Sequence, residues 1–260
     1  MKQWNGLLRK EWAAMSGQFY ASVVASILFV GLIPFGSRLF NWGLDVLELS
    51  LISSLTWMII CIFIPTIILL ISLGKEMNRP DIWLHSGASI FKMFGSKAVY
   101  AALVGVVNLV IPFIAIIIGS RFSAFPLELT FKMALQVGSL FFISFYITSL
   151  LIMGTGLFFG VLYQLTKPVM RGFALPNVVI LFLISSWLVE WITTKSFYKE
   201  LTSFGAITNP GEEIFTIVKG NFFFEIDTVV FYTGDILVDL VVGVLLFITA
   251  VVLFEKKVRI

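Results

Sequence analysis

Cysteine and histidine are nearly absent from the sequence. The 260 residues include one cysteine, Cys61, and one histidine, His85. A single cysteine excludes an intrachain disulfide and a cysteine-based metal site, and a single histidine excludes a multi-histidine zinc or haem site. The patterns His-Glu-x-x-His, Gly-x-Ser-x-Gly and Gly-x4-Gly-Lys-Ser/Thr are missing too, so we assign no catalytic residue, no metal and no nucleotide hydrolysis by a P-loop.

Charged residues are also scarce. They make up 13% of the chain, whereas a soluble domain carries about 25%. Hydrophobic residues make up 59%, the mean hydropathy is +1.01, and the apolar residues come in runs of about 20, enough to cross about 30 Å of hydrocarbon. The sequence therefore predicts an integral membrane protein. The net charge of +3 does not indicate nucleic-acid binding, because the positive residues sit at the ends of the apolar runs.

The apolar runs predict an all-α membrane protein of one domain, residues 1–260, with six transmembrane helices. The first run is too long for a cleaved signal peptide and follows charges at positions 9 to 11, so we expect it to remain as a span. The six predicted spans are residues 19–40, 51–73, 98–119, 132–158, 173–192 and 229–254. Residues 160–172, with Lys167, Pro168 and Arg171, are predicted to be a loop.

The distribution of Lys and Arg predicts the orientation. Of the 18 Lys and Arg, 12 lie in the N-terminal segment, the loop between spans two and three, the 160–172 loop and the C-terminal tail. These are Lys2, Arg9, Lys10, Lys75, Arg79, Lys92, Lys97, Lys167, Arg171, Lys256, Lys257 and Arg259. Because positive charge favours the cytoplasmic side, we expect both termini and the central loop to be cytoplasmic.

Residues 1–17 are predicted to form an interfacial helix. Trp4, Leu8 and Trp12 recur every four residues, while Arg9 and Lys10 fall largely on another side. Such a basic amphipathic helix with tryptophans at headgroup depth lies in the membrane surface. Simple anchoring would already explain it.

Residues 75–97 form the one long hydrophilic stretch between two membrane-length runs. Arg79-Pro80-Asp81 favours a helix start, because Pro80 suits a first turn and Asp81 the positive end of the helix dipole. Trp83 and Leu84 give that helix an apolar side, and Ser89 is a candidate cap for the next helix. The short helix is either a docking element for a partner or a connector lying at the headgroups.

Residues 193–228 are predicted to form a pair of short helices at the outer face. Asn209 and Pro210 favour a helix start that would continue through Lys219, and residues 197–204 are amphipathic. The alternative is an ordinary outer loop with interfacial aromatic residues.

Three acids lie in or near the predicted spans: Glu190, Asp235 and Asp239. Acids at this depth are costly and are candidates for function, such as a proton relay. Alternatively they lie at the outer interface, hydrated or paired with Lys195 or Lys199. The fourth span carries hydroxyl residues, including Ser144 and Thr148, which either pack against a neighbouring helix or line a polar pathway.

The order of these parts resembles the permease subunit of type-2 ABC exporters, in the form common in Gram-positive bacteria. Leu-Leu-Arg-Lys-Glu-Trp at 7–12 is similar to the family's elbow helix, and Arg-Pro-Asp-Ile-Trp-Leu-His-Ser at 79–86 to its coupling helix. Ile90-Phe91-Lys92 and Gly95-Ser96-Lys97 are similar to the start of its third span. The segment between spans five and six resembles the outer re-entrant pair, and Phe254-Glu255-Lys256-Lys257-Val258 is typical of such tails.

The resemblance implies a complex in a bacterial cytoplasmic membrane. Two permeases, identical or homologous, would assemble with two ABC ATPase subunits, which alone would bind ATP and Mg²⁺; this chain would bind no cofactor. The substrate would be amphipathic or lipid-like, or a peptide antibiotic. The residues that the resemblance assigns to ATPase coupling are Arg79, Pro80, Asp81, Ile82, Trp83, Leu84 and His85.

Two other functions remain open on the sequence. A non-transporting scaffold or sensor subunit would carry the same docking loop. A membrane enzyme would need several catalytic groups at one depth, whereas His85 is expected on the opposite side of the membrane from Glu190, Asp235 and Asp239.

Overall fold

A computed structural model describes residues 2–40, 46–77, 89–122, 131–208, 215–219, 222–226 and 229–258. It is almost entirely helical. The helices are α1 (Lys2–Phe40), α2 (Val46–Cys61), α3 (Ile64–Met77), α4 (Ile90–Phe122), α5 (Phe131–Met170), α6 (Ala174–Thr193), α7 (Ser196–Thr202) and α8 (Thr233–Val258), with a 3₁₀ turn at Arg171–Phe173. Four short strands are β1 (Ala206–Thr208), β2 (Phe215–Lys219), β3 (Phe222–Ile226) and β4 (Val229–Tyr232).

Within these residues, five helical stretches are long and apolar enough to cross a membrane. They are Gln3–Gly36, Ile52–Glu76, Ile90–Ile118, Gly138–Thr193 and Thr233–Lys256. Many of their large apolar side chains are exposed on the isolated chain, as expected where lipid covers the surface. The prediction of a helical membrane protein is confirmed at this level.

The N-terminal helix is continuous. We predicted an interfacial helix over 1–17 and a separate span over 19–40, but α1 runs without a break for 39 residues. At about 1.5 Å per residue it is about 58 Å long, roughly twice the hydrocarbon thickness. Its N-terminal part packs on α3 and α4, and that packing extends the helix past the apolar run.

The second predicted span is divided. α2 ends at Cys61 and α3 begins at Ile64, just before Pro65. Pro65 has no N–H to donate to Cys61, and the chain tightens into a turn in which Phe63 N–H donates to Ile60 O at 3.1 Å. Regular helix resumes when Ile67 N–H donates to Phe63 O.

The predicted 160–172 loop is wrong. α5 continues through these positions to Met170, and Val161 is only 1% exposed in the main core. The chain then turns at Arg171, whose φ of 46° is left-handed, and α6 begins at Ala174. The Phe159 and Phe182 ring centroids are 5.3 Å apart, so α5 and α6 fold back against each other. Charge and Pro168 suggested a loop, but the burial of Val161 keeps the segment helical.

The predicted helix pair over 193–228 is only partly present. α7 overlaps the amphipathic 197–204 segment, although the helix begins at Ser196 and ends at Thr202. Phe215–Lys219, however, is a strand paired antiparallel with Phe222–Ile226, where a helix was predicted. β1 pairs antiparallel with β4, so the segment is not all-α. Alternating and aromatic residues favour strands there, and the proline-based helix start at Asn209 and Pro210 lies outside the described residues.

The helices define two ends of one bundle. At the first end, the start of α4 meets α1 and the end of α8: Trp4 packs on Gly95, and the Phe94 and Phe254 rings are 5.1 Å apart. The described starts and ends of the chain therefore lie together. α7 and the start of α8 meet at the second end, where Gly234 N–H donates to Phe204 O.

Glycines bring α5 close to two neighbours. A Cβ at Gly154 would collide with Gly243 O of α8, so the two backbones touch. Farther along α5, Gly156 and Gly160 face α3, where a Cβ at Gly160 would lie 2.7 Å from Leu70 Cδ2. Small residues spaced four apart allow this approach in membrane helices. The α5–α8 pair positions the cleft described below.

Candidate functional site

Lys97 is the centre of a charge cluster, which we define as Lys10, Glu11, Ser72, Glu76 and Lys97 and of which only Lys10 is exposed. Its side chain is 1% exposed. Nζ donates to Glu11 Oε1 at 2.7 Å and to Ser72 Oγ at 2.8 Å, and lies 3.1 Å from Glu76 Oε1. One ammonium group thus joins α4 to both α1 and α3.

The charge cluster is electrically balanced. Ser72 Oγ donates to Glu11 Oε2 at 2.7 Å, and Lys10 Nζ donates to Glu76 Oε1 at 2.7 Å. Two lysines therefore face two glutamates. Glu76 Oε2 is buried and has no hydrogen-bond partner among the described residues. Because a buried charge is tolerated when paired and hydrogen-bonded, the cluster holds three helices in one arrangement.

Local sequence places each member. Ser72 and Glu76 are four residues apart and share one face of α3. Ser89 caps α4, as predicted: its Oγ accepts from Lys92 N–H at 3.4 Å. That cap places Lys97 two turns into the helix. Beside the cluster, Lys75 Nζ donates to Ala14 O at 3.3 Å, and Lys92 Nζ to Gln3 Oε1 at 3.3 Å.

Some of the predicted elbow residues contact other helices of the bundle, and Arg9 is exposed at its surface. Trp4 packs on Gly95, where a Cβ would lie 3.2 Å from Trp4 Cη2. Lys10 pairs with Glu76, and the Trp12 ring lies 6.1 Å from that of Tyr100. Leu8 is half-buried and Arg9 is exposed. Three of the five thus contact other residues of the bundle.

The predicted coupling residues, 79–85, lie in 78–88, outside the described residues. Both flanks of that segment are described. Glu76 lies two residues before it. On the other side, Lys97 lies two residues beyond Gly95, which packs against Trp4. Both are members of the charge cluster, so the two ends of the central loop are tied to each other and to α1.

A second polar network lies deeper, between α1, α2 and α4. Asn108, fully buried, accepts from Ser26 Oγ at 2.8 Å and donates to Ser22 Oγ at 3.0 Å. Trp57 Nε1 donates to Ser26 Oγ at 2.8 Å. Each of these polar groups has a partner, which is the condition for burying polar groups inside a membrane helix bundle. This network fixes α1 against α2 and α4.

The predicted intramembrane acids are partly brought together. Asp235 and Asp239 line an acidic cleft of about 250 Å³ with Ser144, Thr148, Phe231 and Tyr232. The hydroxyl side of α5 therefore faces these two acids across a concave surface. Glu190, near the end of α6, is exposed and does not line the cleft. Lys195 Nζ lies 4.3 Å from the Trp191 ring centroid, and within the described residues no ion pair joins these acids to Lys195 or Lys199.

The negative charge of Asp235 and Asp239 affects Tyr198 on α7. Burial raises the pKa of Tyr198 above its usual value, and the carboxylates of Asp235 and Asp239 raise it further. A negative charge nearby disfavours the tyrosinate form. Tyr198 therefore senses the charge of the two aspartates although no residue of α7 lines the cleft.

Sequence reasoning missed Glu11, Ser72 and Glu76. Glu11 and Glu76 each follow a lysine that was used to predict the orientation, and Ser72 lies inside the second predicted span. The sequence did contain one signal. Glu11 and Glu76 are acids at the ends of apolar runs, where Lys and Arg usually concentrate. Their pairing with Lys97, 86 residues from Glu11, depends on the tertiary fold.

The chain matches no family model, no curated protein and no solved structure.

Proposed function

We propose that this chain is the membrane-spanning permease subunit of an ATP-driven ABC exporter. The single observation that carries the proposal is the charge cluster. It fixes both flanks of segment 78–88 to α1 through buried contacts of 2.7–3.1 Å. Because both flanks are held in place, a movement that a partner imposes on this segment would be transmitted to the membrane helices.

The proposal includes six membrane crossings. The 56-residue stretch Gly138–Thr193 contains the reversal at Arg171, and the Phe159–Phe182 contact supports counting it as two crossings. The other four crossings are α1, α2 and α3 counted together as one, α4, and α8, so the total is six. The positive residues near the first end favour the cytoplasm for that end, and with it both termini and the central loop.

In this mechanism, the segment Arg79–His85 docks on a separate ATPase subunit in a bacterial cytoplasmic membrane. ATP and Mg²⁺ bind to that subunit. Two ATPases and two permeases, identical or homologous, form the complex. ATP binding can shift the membrane helices only if its free energy differs between two states of those helices. The coupling segment must therefore transmit the movement of the ATPase to them. The charge cluster supplies stiffness between α3, α4 and α1.

The transported substrate in this proposal is amphipathic or lipid-like, or a peptide antibiotic. Apolar side chains dominate every candidate span, with Phe contributing 27 residues to the chain. An apolar pathway favours molecules with a large apolar surface.

The test is to co-express the full chain with the ATPase subunit encoded beside its gene and to purify the complex in detergent. ATP hydrolysis is compared for the wild type, Trp83→Ala and Asp81→Ala. We expect the wild type to retain the ATPase and both variants to lose it or to uncouple its hydrolysis. We expect the loss because the sequence predicts that Trp83 supplies the apolar contact and that Asp81 favours the helix start.

Glu190→Gln is the matched control, because Glu190 is exposed and lies on α6, away from the loop. Equal retention and equal ATP hydrolysis in all four proteins would show that the loop does not couple. Failure of the wild type to retain the ATPase would reject the permease proposal itself. Retention without stimulation by any amphipathic substrate would favour the scaffold or sensor subunit.

A further inference from the structure

The acidic cleft has a surplus of negative charge. Asp235 and Asp239 are four residues apart on one face of α8, so two like charges stand side by side. The three ion pairs within the described residues all belong to the charge cluster, and none reaches the cleft. Carboxylates in a partly buried site gain from a nearby cation. No described lysine or arginine therefore forms an ion pair with them.

The walls of the cleft indicate what kind of cation fits. Phe231 and Tyr232 supply aromatic surface, and Ser144 and Thr148 supply hydroxyl oxygens that accept hydrogen bonds from N–H groups. Aromatic rings attract desolvated organic cations. Ile147 and Ile236 complete the lining with apolar surface. This mixture suits a cation that carries carbon as well as charge.

The size of the cleft supports the same ligand. About 250 Å³ corresponds to roughly eight waters at about 30 Å³ each, which is ample for an ammonium group and several carbons. A bare divalent ion would need more fixed ligands, and within the described residues no group of three His, Cys, Asp or Glu is placed to hold one.

We propose that the acidic cleft binds the ammonium group of an amphipathic amine. The ammonium lies between Asp235 and Asp239 and donates to their carboxylates, while Ser144 and Thr148 accept further N–H bonds. The alkyl part lies against Phe231, Tyr232 and the two isoleucines. This binding requires no ATPase, so it stands or falls separately from the permease proposal.

The test uses the full chain in phosphatidylcholine nanodiscs titrated calorimetrically with n-octylammonium chloride, with empty nanodiscs subtracted. We expect saturable binding to one site in the wild type. Asp239→Asn and Asp235→Asn should each weaken it at least tenfold, because each removes one of the two charges. Glu190→Gln, an exposed acid outside the cleft, should bind like the wild type.

Four results would overturn the proposal. The first is non-saturable uptake, which is partition into lipid. The second is equal saturable binding of sodium octyl sulfate, which would remove the role of charge. The third is unchanged binding in Asp239→Asn. Saturation by MgCl₂ that excludes octylammonium would replace the amine with a metal ion. The melting temperature of each variant is measured alongside, and we expect it to match the wild type, so that a loss of binding reports the site.

Discussion

At one end of the bundle, two lysines and two glutamates meet in a closed cluster, and Lys97 is 1% exposed. At the other end, two aspartates line a concave cleft with hydroxyl and aromatic side chains. The first arrangement is neutral, and its charged groups pair with one another although Glu76 Oε2 has no hydrogen-bond partner among the described residues. The second is negative and open. Buried charges that balance each other fix a structure, whereas an unbalanced pair in a cavity leaves a place for a ligand.

The largest effect should come from breaking the balance of the closed cluster. Lys97→Met leaves the Glu11 and Glu76 carboxylates buried without their shared partner. We expect a loss of about 3–5 kcal/mol in the free energy of unfolding, measured as a fall in melting temperature in detergent. Lys256→Met, at an exposed lysine of α8, should change it by no more than about 0.5 kcal/mol.

The double variant Lys97→Met with Glu11→Gln sharpens this prediction. Removing one carboxylate charge along with the lysine should recover part of the lost stability, because fewer uncompensated charges remain. A single Lys97→Met variant that melts with the wild type would show that the cluster does not hold the helices.

A smaller effect should follow from separating the helices that carry the cleft. Gly154→Leu forces a side chain against Gly243 O, and we expect a cost of about 1–3 kcal/mol together with weaker octylammonium binding. Gly31→Leu is the matched control, because nothing lies within 4 Å of a Cβ at Gly31. If both variants melt alike, the close α5–α8 contact does not contribute to stability.

The smallest effect concerns the negative field of the cleft. Because burial and then Asp235 and Asp239 raise the pKa of Tyr198, its tyrosinate should form at higher pH than in a free tyrosine. The folded chain keeps this proton longer than the unfolded chain, so the associated stability is present below about pH 10 and is lost as pH rises further.

Absorbance at alkaline pH, as the difference between wild type and Tyr198→Phe, isolates this residue. Asp235→Asn should lower the pKa of Tyr198 toward the ordinary value, and Glu190→Gln should leave it unchanged. An Asp235→Asn variant with the wild-type titration would mean that the cleft carries no negative field at α7.

The sequence-based prediction succeeded where the signal is local. Runs of apolar residues located the membrane helices, and Ser89 was recognised as a cap. It failed where tertiary contacts outweigh local preference. Val161 keeps α5 helical through a predicted loop, and pairing of Phe215–Lys219 with Phe222–Ile226 replaces a predicted helix.

By itself the sequence determined the membrane class, the helical content and the positions of the acids, because hydrophobicity and helical spacing are properties of neighbouring residues. The tertiary structure alone decided that Lys97 meets Glu11 across 86 residues, and that the hydroxyl face of α5 meets Asp235 and Asp239. Such contacts depend on which helix faces pack together. That choice is made by shape and by the need to pair buried charge, and neither can be read from one segment alone.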